Sequence, residues 1–167
     1  AATPRPAPDG YPASARYKVT FDNQPAHVYT AEVVAPEQRW VRHPEPLATR
    51  TVGYAMADTT GPLQVRVEVL GDTPRSVRVR PASKGITPQV EGRIITFAMP
   101  GPDNLVVELN NDPFEHLYLF VSPPETNVPK ADDPNVRYFG PGVHDAGQID
   151  VTGNDQTVYP AGGAVVN

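Results

Sequence analysis

Five acids in the last third of the chain, Asp132, Asp133, Asp145, Asp150 and Asp155, are the side chains whose type best suits acid–base chemistry. Acid–base cleavage of a bond by such groups takes two carboxyl groups facing each other across it, about 5–10 Å apart. None of the five stands in such a pattern. Asp132-Asp133 precedes Pro134 in a proline-rich stretch and reads as turn chemistry. Asp150 alternates with Ile149 and Val151, which points it to water. His144 and Asp145 are adjacent among glycines, and such a pair invites a metal or general-base reading. Neighbours in extended backbone point opposite ways, however, so a structural turn is expected, with His144 hydrogen-bonded to backbone. Thr152-Gly153-Asn154-Asp155 offers oxygens, but a calcium loop needs more carboxylates at alternating positions, so a plain turn is expected. His27, His43 and His116 are scattered without metal-ligand spacing. No phosphate loop, nucleophile elbow or Cys/His cluster occurs, and Gly162-Gly163 reads as a turn. The expectation is a chain with no catalytic residue of its own, no metal and no cofactor.

Aromatic side chains offer a second kind of chemistry, because their faces stack on the CH groups of sugars. Trp40, the only tryptophan, lies between Arg39 and Arg42 in EQRWVRHPEP and is the candidate substrate-binding residue. The plainer reading is a tryptophan that anchors a loop. Tyr29 and Tyr54 are looser candidates for a row on one sheet. Tyr118, Phe120, Tyr138 and Phe139 are expected to pack one domain against the next, since such interfaces are rich in aromatics.

The elements that must carry these residues read as strands throughout. Runs at 16–21, 27–34, 51–56, 63–69, 76–80, 93–99, 105–109 and 117–121 recur about every ten residues, with turn signals such as Asp22-Asn23 and Gly101–Asn104 between them. Val65, Val67 and Val69 share one face against Arg66 and Glu68, and Val77 and Val79 repeat this against Arg78 and Arg80. No segment has helical periodicity. Residues 1–14, rich in Ala and Pro, read as a flexible leader. Residues 15–122 read as a β-sandwich. SPPETNVPKADDP, stiffened by Pro123, Pro124, Pro129 and Pro134, makes 123–134 a linker. From 135 onward, short β-branched and aromatic runs (136–139, 148–151, 157–159 and 164–166) alternate with Gly, Pro and Asn turns, a cadence that suits stacked coils of a parallel β-helix.

Composition narrows the classes. With 21 Pro and 13 Gly in 167 residues the chain is turn-rich, as all-β proteins are. A net charge of −5 and no basic run argue against nucleic acid or an anionic membrane surface as partner. No stretch approaches a membrane-spanning length. The chain has no cysteine, and its Ala/Pro-rich start without Met fits a secreted protein after signal cleavage.

YFGPGVHDAG (138–147) followed by QTVYPAGGAVV (156–166) resembles the entry to the catalytic β-helix of polygalacturonase-like glycoside hydrolases. These are the family 28 type and its relatives with an N-terminal β-sandwich; the dextranase and isopullulanase type is a more distant cousin. SVRVRPASKGI (76–86), RIITFAMPGPDNLVVELNND (93–112) and LYLFVSPPET (117–126) resemble the last strands of the preceding sandwich. Pro160 departs from the pattern, which expects an aliphatic residue there. The resemblance implies an all-β chain: a β-sandwich followed by the opening strands of a right-handed parallel β-helix. It implies the N-terminal portion of a secreted polysaccharide-degrading hydrolase. Its acid–base carboxylates would lie in a larger catalytic β-helix chain or segment continuing after Asn167, where 135–167 would be only the first coil. The alternative from another class is a stand-alone carbohydrate-binding or surface adhesion module. That reading calls for a row of exposed aromatics, which the sequence supplies only thinly.

Overall fold

A computed structural model describes residues 1–34 and 49–167. All fifteen strands and the single 3-10 turn at Ala82–Lys84 make the described chain all-β. It divides into two compact units. The first comprises Ala1–Pro4 and Pro12–Pro123, and the second comprises Arg5–Tyr11 and Pro124–Asn167.

Two sheets build the first unit. One joins β1 (Thr3–Pro4), β4 (Val28–Val34), β5 (Thr49–Asp58), β7 (Val77–Arg80), β10 (Asp103–Leu109) and β11 (His116–Ser122). Within it β1 and β4 share one edge of β5, and β11 runs parallel to the other edge; the remaining pairs are antiparallel. The other sheet, all antiparallel, has the order β3 (Gln24–Ala26), β2 (Tyr17–Phe21), β6 (Leu63–Val69), β9 (Ile94–Met99), β8 (Gln89–Glu91). Alternation decides which face goes inward. On β6, Leu63, Val65, Val67 and Val69 are buried, while Gln64, Arg66 and Glu68 are not. Phe21, Ile95, Met99, Leu117 and Leu119 from both sheets meet in one buried cluster with them. Gly53 allows a close approach there. A Cβ at this position would stand 2.9 Å from Cδ2 of Tyr17 and 3.3 Å from Cδ1 of Leu117. Asp22 (φ 48°) and Asn23 (φ 64°) form the two-residue turn between β2 and β3, both in the left-handed conformation that such a hairpin needs.

The start of the chain departs from the flexible leader expected for 1–14. Thr3 and Pro4 pair with Asp58 and Ala57. Ala2 is buried, and its N–H donates to the Asp22 carboxylate at 2.7 Å. Proline had already stiffened this stretch, so little entropy opposed a short edge strand. Arg5–Tyr11 belongs to the second unit.

The second unit carries two short parallel pairs. β12 (Val136–Phe139) pairs with β14 (Thr157–Pro160), and β13 (Gly142–His144) pairs with β15 (Ala164–Val166). Pro160 lies at the last position of its strand, opposite Phe139, where the missing N–H costs least. The strand expected at 148–151 is not formed. Gln148 instead donates its side-chain amide to the Asp150 carboxylate at 2.8 Å, and no neighbouring strand pairs with this stretch among the described residues.

Candidate functional site

Parallel pairing of β5 with β11 brings together a surface that neither strand reveals alone. Tyr29 stands opposite Tyr54, and Tyr54 opposite Tyr118, so three tyrosines form one row across β4, β5 and β11. Phe120, two residues on, lies on the same face, because Leu119 and Val121 point into the core. The rings touch in sequence. Tyr29 and Tyr54 stack at 5.0 Å, Tyr54 meets Phe120 edge-on at 6.2 Å, and Phe120 stacks on Tyr118 at 6.2 Å. His27 closes one end against Tyr29, and His116 the other against Tyr118. Phe120 is 39% exposed and Tyr29 only 5%, so the accessible part of the row is its Phe120 end.

Polar groups continue from that end. His116 Nε2 lies 3.1 Å from Glu108 Oε2, and an Arg80 guanidinium nitrogen lies 3.3 Å from Glu108 Oε1. Desolvation works to raise the Glu108 pKa, but the hydrogen bonds from His116 and Arg80 outweigh it and hold the carboxyl below its ordinary range. A fixed carboxylate beside an aromatic ledge can accept a hydroxyl hydrogen bond and orient a stacked ring. No group of three or more His, Cys, Asp or Glu suits a metal ion among the described residues.

Of the acids singled out from sequence, Asp133, Asp145 and Asp150 accept hydrogen bonds. Asp133 accepts the Asn135 N–H at 2.9 Å, and Asp145 accepts the Asn167 side-chain amide at 3.0 Å. His144 Nε2 lies 2.7 Å from the Gly140 carbonyl oxygen. A carbonyl only accepts, so Nε2 carries the proton and His144 donates to backbone as expected, but from strand β13 and not from a turn. At Thr152–Asp155, Gln156 Oε1 accepts the N–H groups of Thr152 and Gly153 at 2.9 and 3.1 Å. Tyr138 and Tyr159 pair at 5.4 Å in the β12–β14 register, and the Tyr159 hydroxyl donates to Glu125. Trp40, the substrate-contact candidate, lies outside the described residues, as do Arg39, Arg42 and His43. Tyr118 and Phe120 were legible as aromatics, but their place beside Tyr54 was not. Only the parallel register supplies it.

No family model matches the chain, and no curated protein matches it. Among solved structures it is similar to Dex49A from Penicillium minioluteum, with a TM-score of 0.67 and 18% sequence identity, over 98% of this chain and 44% of that one. A likeness at this identity establishes the fold. The chain spans less than half of that protein's length.

Proposed function

We propose that the chain is the N-terminal portion of a secreted, polysaccharide-degrading glycoside hydrolase: a β-sandwich followed by the opening of a right-handed parallel β-helix. One observation carries the reading. Val136 pairs with Thr157 and Gly142 with Ala164, so two consecutive strands are each met, in parallel and in the same order, by chain about 21 residues further on. A repeat of that kind is how a β-helix coil stacks on the one before. The likeness to Dex49A supports a fold of the β-helix glycosidase class, consistent with the dextranase side of the resemblance in 138–166. The sandwich caps and supports the helix, and the carboxylates that cleave the bond lie in a segment or chain beyond Asn167. The partners are a polysaccharide and that catalytic β-helix.

The test is release of reducing ends from dextran and from polygalacturonate by the longest natural polypeptide that contains this chain. Cleavage of either supports the reading and separates its two branches. Cleavage of neither, nor of any neutral or acidic polysaccharide, defeats it. The row Tyr29–Tyr54–Phe120–Tyr118 favours the second reading, a binding module without catalysis. In that case Phe120→Ala weakens polysaccharide retention while no hydrolysis is found.

A further inference from the structure

The polar groups beside the aromatic row are joined in one chain of hydrogen bonds, and the strand register builds it. Glu108 on β10 stands directly opposite His116 on β11, which puts the two side chains on the same outer face and within reach of each other. Tyr118, two residues on from His116, shares that face. The imidazole bridges its neighbours. Nε2 lies 3.1 Å from Glu108 Oε2, and Nδ1 lies 3.3 Å from the Tyr118 hydroxyl. Arg80, from β7, donates to the other carboxylate oxygen at 3.3 Å. The side chains of His116 and Glu108 are only 15% and 12% exposed, so water competes poorly for these bonds.

Counting protons gives the chain a direction. Against desolvation, the bonds from His116 and Arg80 keep Glu108 ionised, so both of its oxygens only accept. Nε2 therefore carries the imidazole proton. In a neutral imidazole Nδ1 is then bare and accepts, and its donor is the Tyr118 O–H. A phenol has one hydrogen, and this one points at the imidazole. What the Tyr118 oxygen presents on its other side is lone pairs alone. Among the described residues that hydroxyl makes no further hydrogen bond. The Tyr118 ring stacks on Phe120, which is 39% exposed, so the bare oxygen belongs to the accessible end of the row.

We propose that Glu108 and His116 are positioning residues that hold the Tyr118 hydroxyl as a hydrogen-bond acceptor for a hydroxyl of a saccharide lying on Phe120. A free phenol donates and accepts with equal ease. A held one offers only an acceptor, so it takes a hydroxyl donor and gives nothing to a carboxylate. Charge points the same way. The Arg80 guanidinium is balanced by Glu108, which leaves no positive excess for an anion. A few fixed polar groups at the rim of an aromatic surface are what orient a ligand that stacking alone would let slide. The saccharide as ligand rests on the polysaccharide-handling function proposed above; the orientation of the hydroxyl does not.

Two measurements test it. Nitrogen NMR at about pH 8, where imidazoles are ordinarily neutral, should find His116 protonated on Nε2 and bare at Nδ1. The opposite tautomer overturns the inference with no variant needed. Glu108→Gln, whose amide donates as well as accepts, should populate both tautomers, and a tautomer indifferent to it overturns the role of Glu108. Retention in dextran-containing native gels reads the ligand. His116→Ala and Tyr118→Phe should each weaken it about threefold to tenfold, and the double variant no more than Tyr118→Phe alone. A positioning residue acts through its target, so additive losses overturn the role of His116. Lys18→Ala, exposed on β2 of the other sheet, is the control and should leave retention unchanged. Stronger retention by polygalacturonate than by dextran overturns the acceptor assignment, and retention by neither overturns the saccharide as ligand. Hydrolysis of dextran together with additive losses defeats this inference alone. Non-additive losses without hydrolysis of any polysaccharide support it and defeat only the catalytic function proposed above.

Discussion

The two units treat apolar side chains in opposite ways. In the first, Phe21, Leu63, Ile95, Met99, Leu105, Leu117 and Leu119 are fully buried between two sheets. In the second, Val128, Val143, Val151, Val158 and Val166 stand exposed, while Phe139 and Pro8 are buried. Facing sheets give each strand a buried face along its whole length. A strand of three or four residues with one parallel neighbour has no such cover, so its order leans on local hydrogen bonds such as His144 to Gly140 and the Thr152 N–H to Gln156. Stability therefore resides in the first unit, and the second is the place where local hydrogen bonds decide.

The harshest way to test that contrast is to delete matched apolar groups. Phe21→Ala empties a fully buried site and should cost about 3–5 kcal/mol, read as the midpoint shift in urea unfolding. Val151→Ala, at a position 57% exposed, should change stability by less than about 0.5 kcal/mol. Similar losses from the two would break the comparison. Overpacking is the next step down. Gly53→Ala drives a methyl to 2.9 Å from the Tyr17 ring and should cost about 1–3 kcal/mol. Gly61→Ala, with open space around it, should be nearly silent.

A smaller effect is expected from the second unit's own device. His144→Ala removes the donor to the Gly140 carbonyl and should cost about 1 kcal/mol. It should also raise amide exchange selectively in residues 138–147. A loss spread over the first unit's strands would mean that the turn supports more than its own surroundings.

Period-two alternation made most of the first unit legible, because antiparallel strands with one wet face write their burial directly into sequence, as Leu63–Val69 does. The misses have physical causes. β1 was hidden because its two residues have no pattern to show, and β3 and β8 because strands of three residues lie beside turns. The stretch 148–151 has strand composition but no partner among the described residues, and β-propensity without a partner gives no strand. The aromatic row escaped because Tyr54 and Tyr118 are far apart in the chain and meet only through a parallel register.

Two tyrosines sharpen the contrast with the gentlest probe, pH. Tyr17, in the first unit, has its pKa raised chiefly by burial. Tyr159, in the second, is pushed up to about 12, chiefly because its hydroxyl donates to the Glu125 carboxylate. Both shifts favour the neutral phenol in the folded state. Their contribution is thus full below the ordinary value of 10.0 and is lost as pH rises through the folded value, about 12 for Tyr159. In a spectrophotometric titration of the tyrosines, Glu125→Gln should return one group from about 12 toward 10 and leave Tyr17 as it was. A titration in which no group moves on Glu125→Gln would mean that burial, not a hydrogen bond, governs the second unit as well. The distinction drawn between the two regions would then fail at this position.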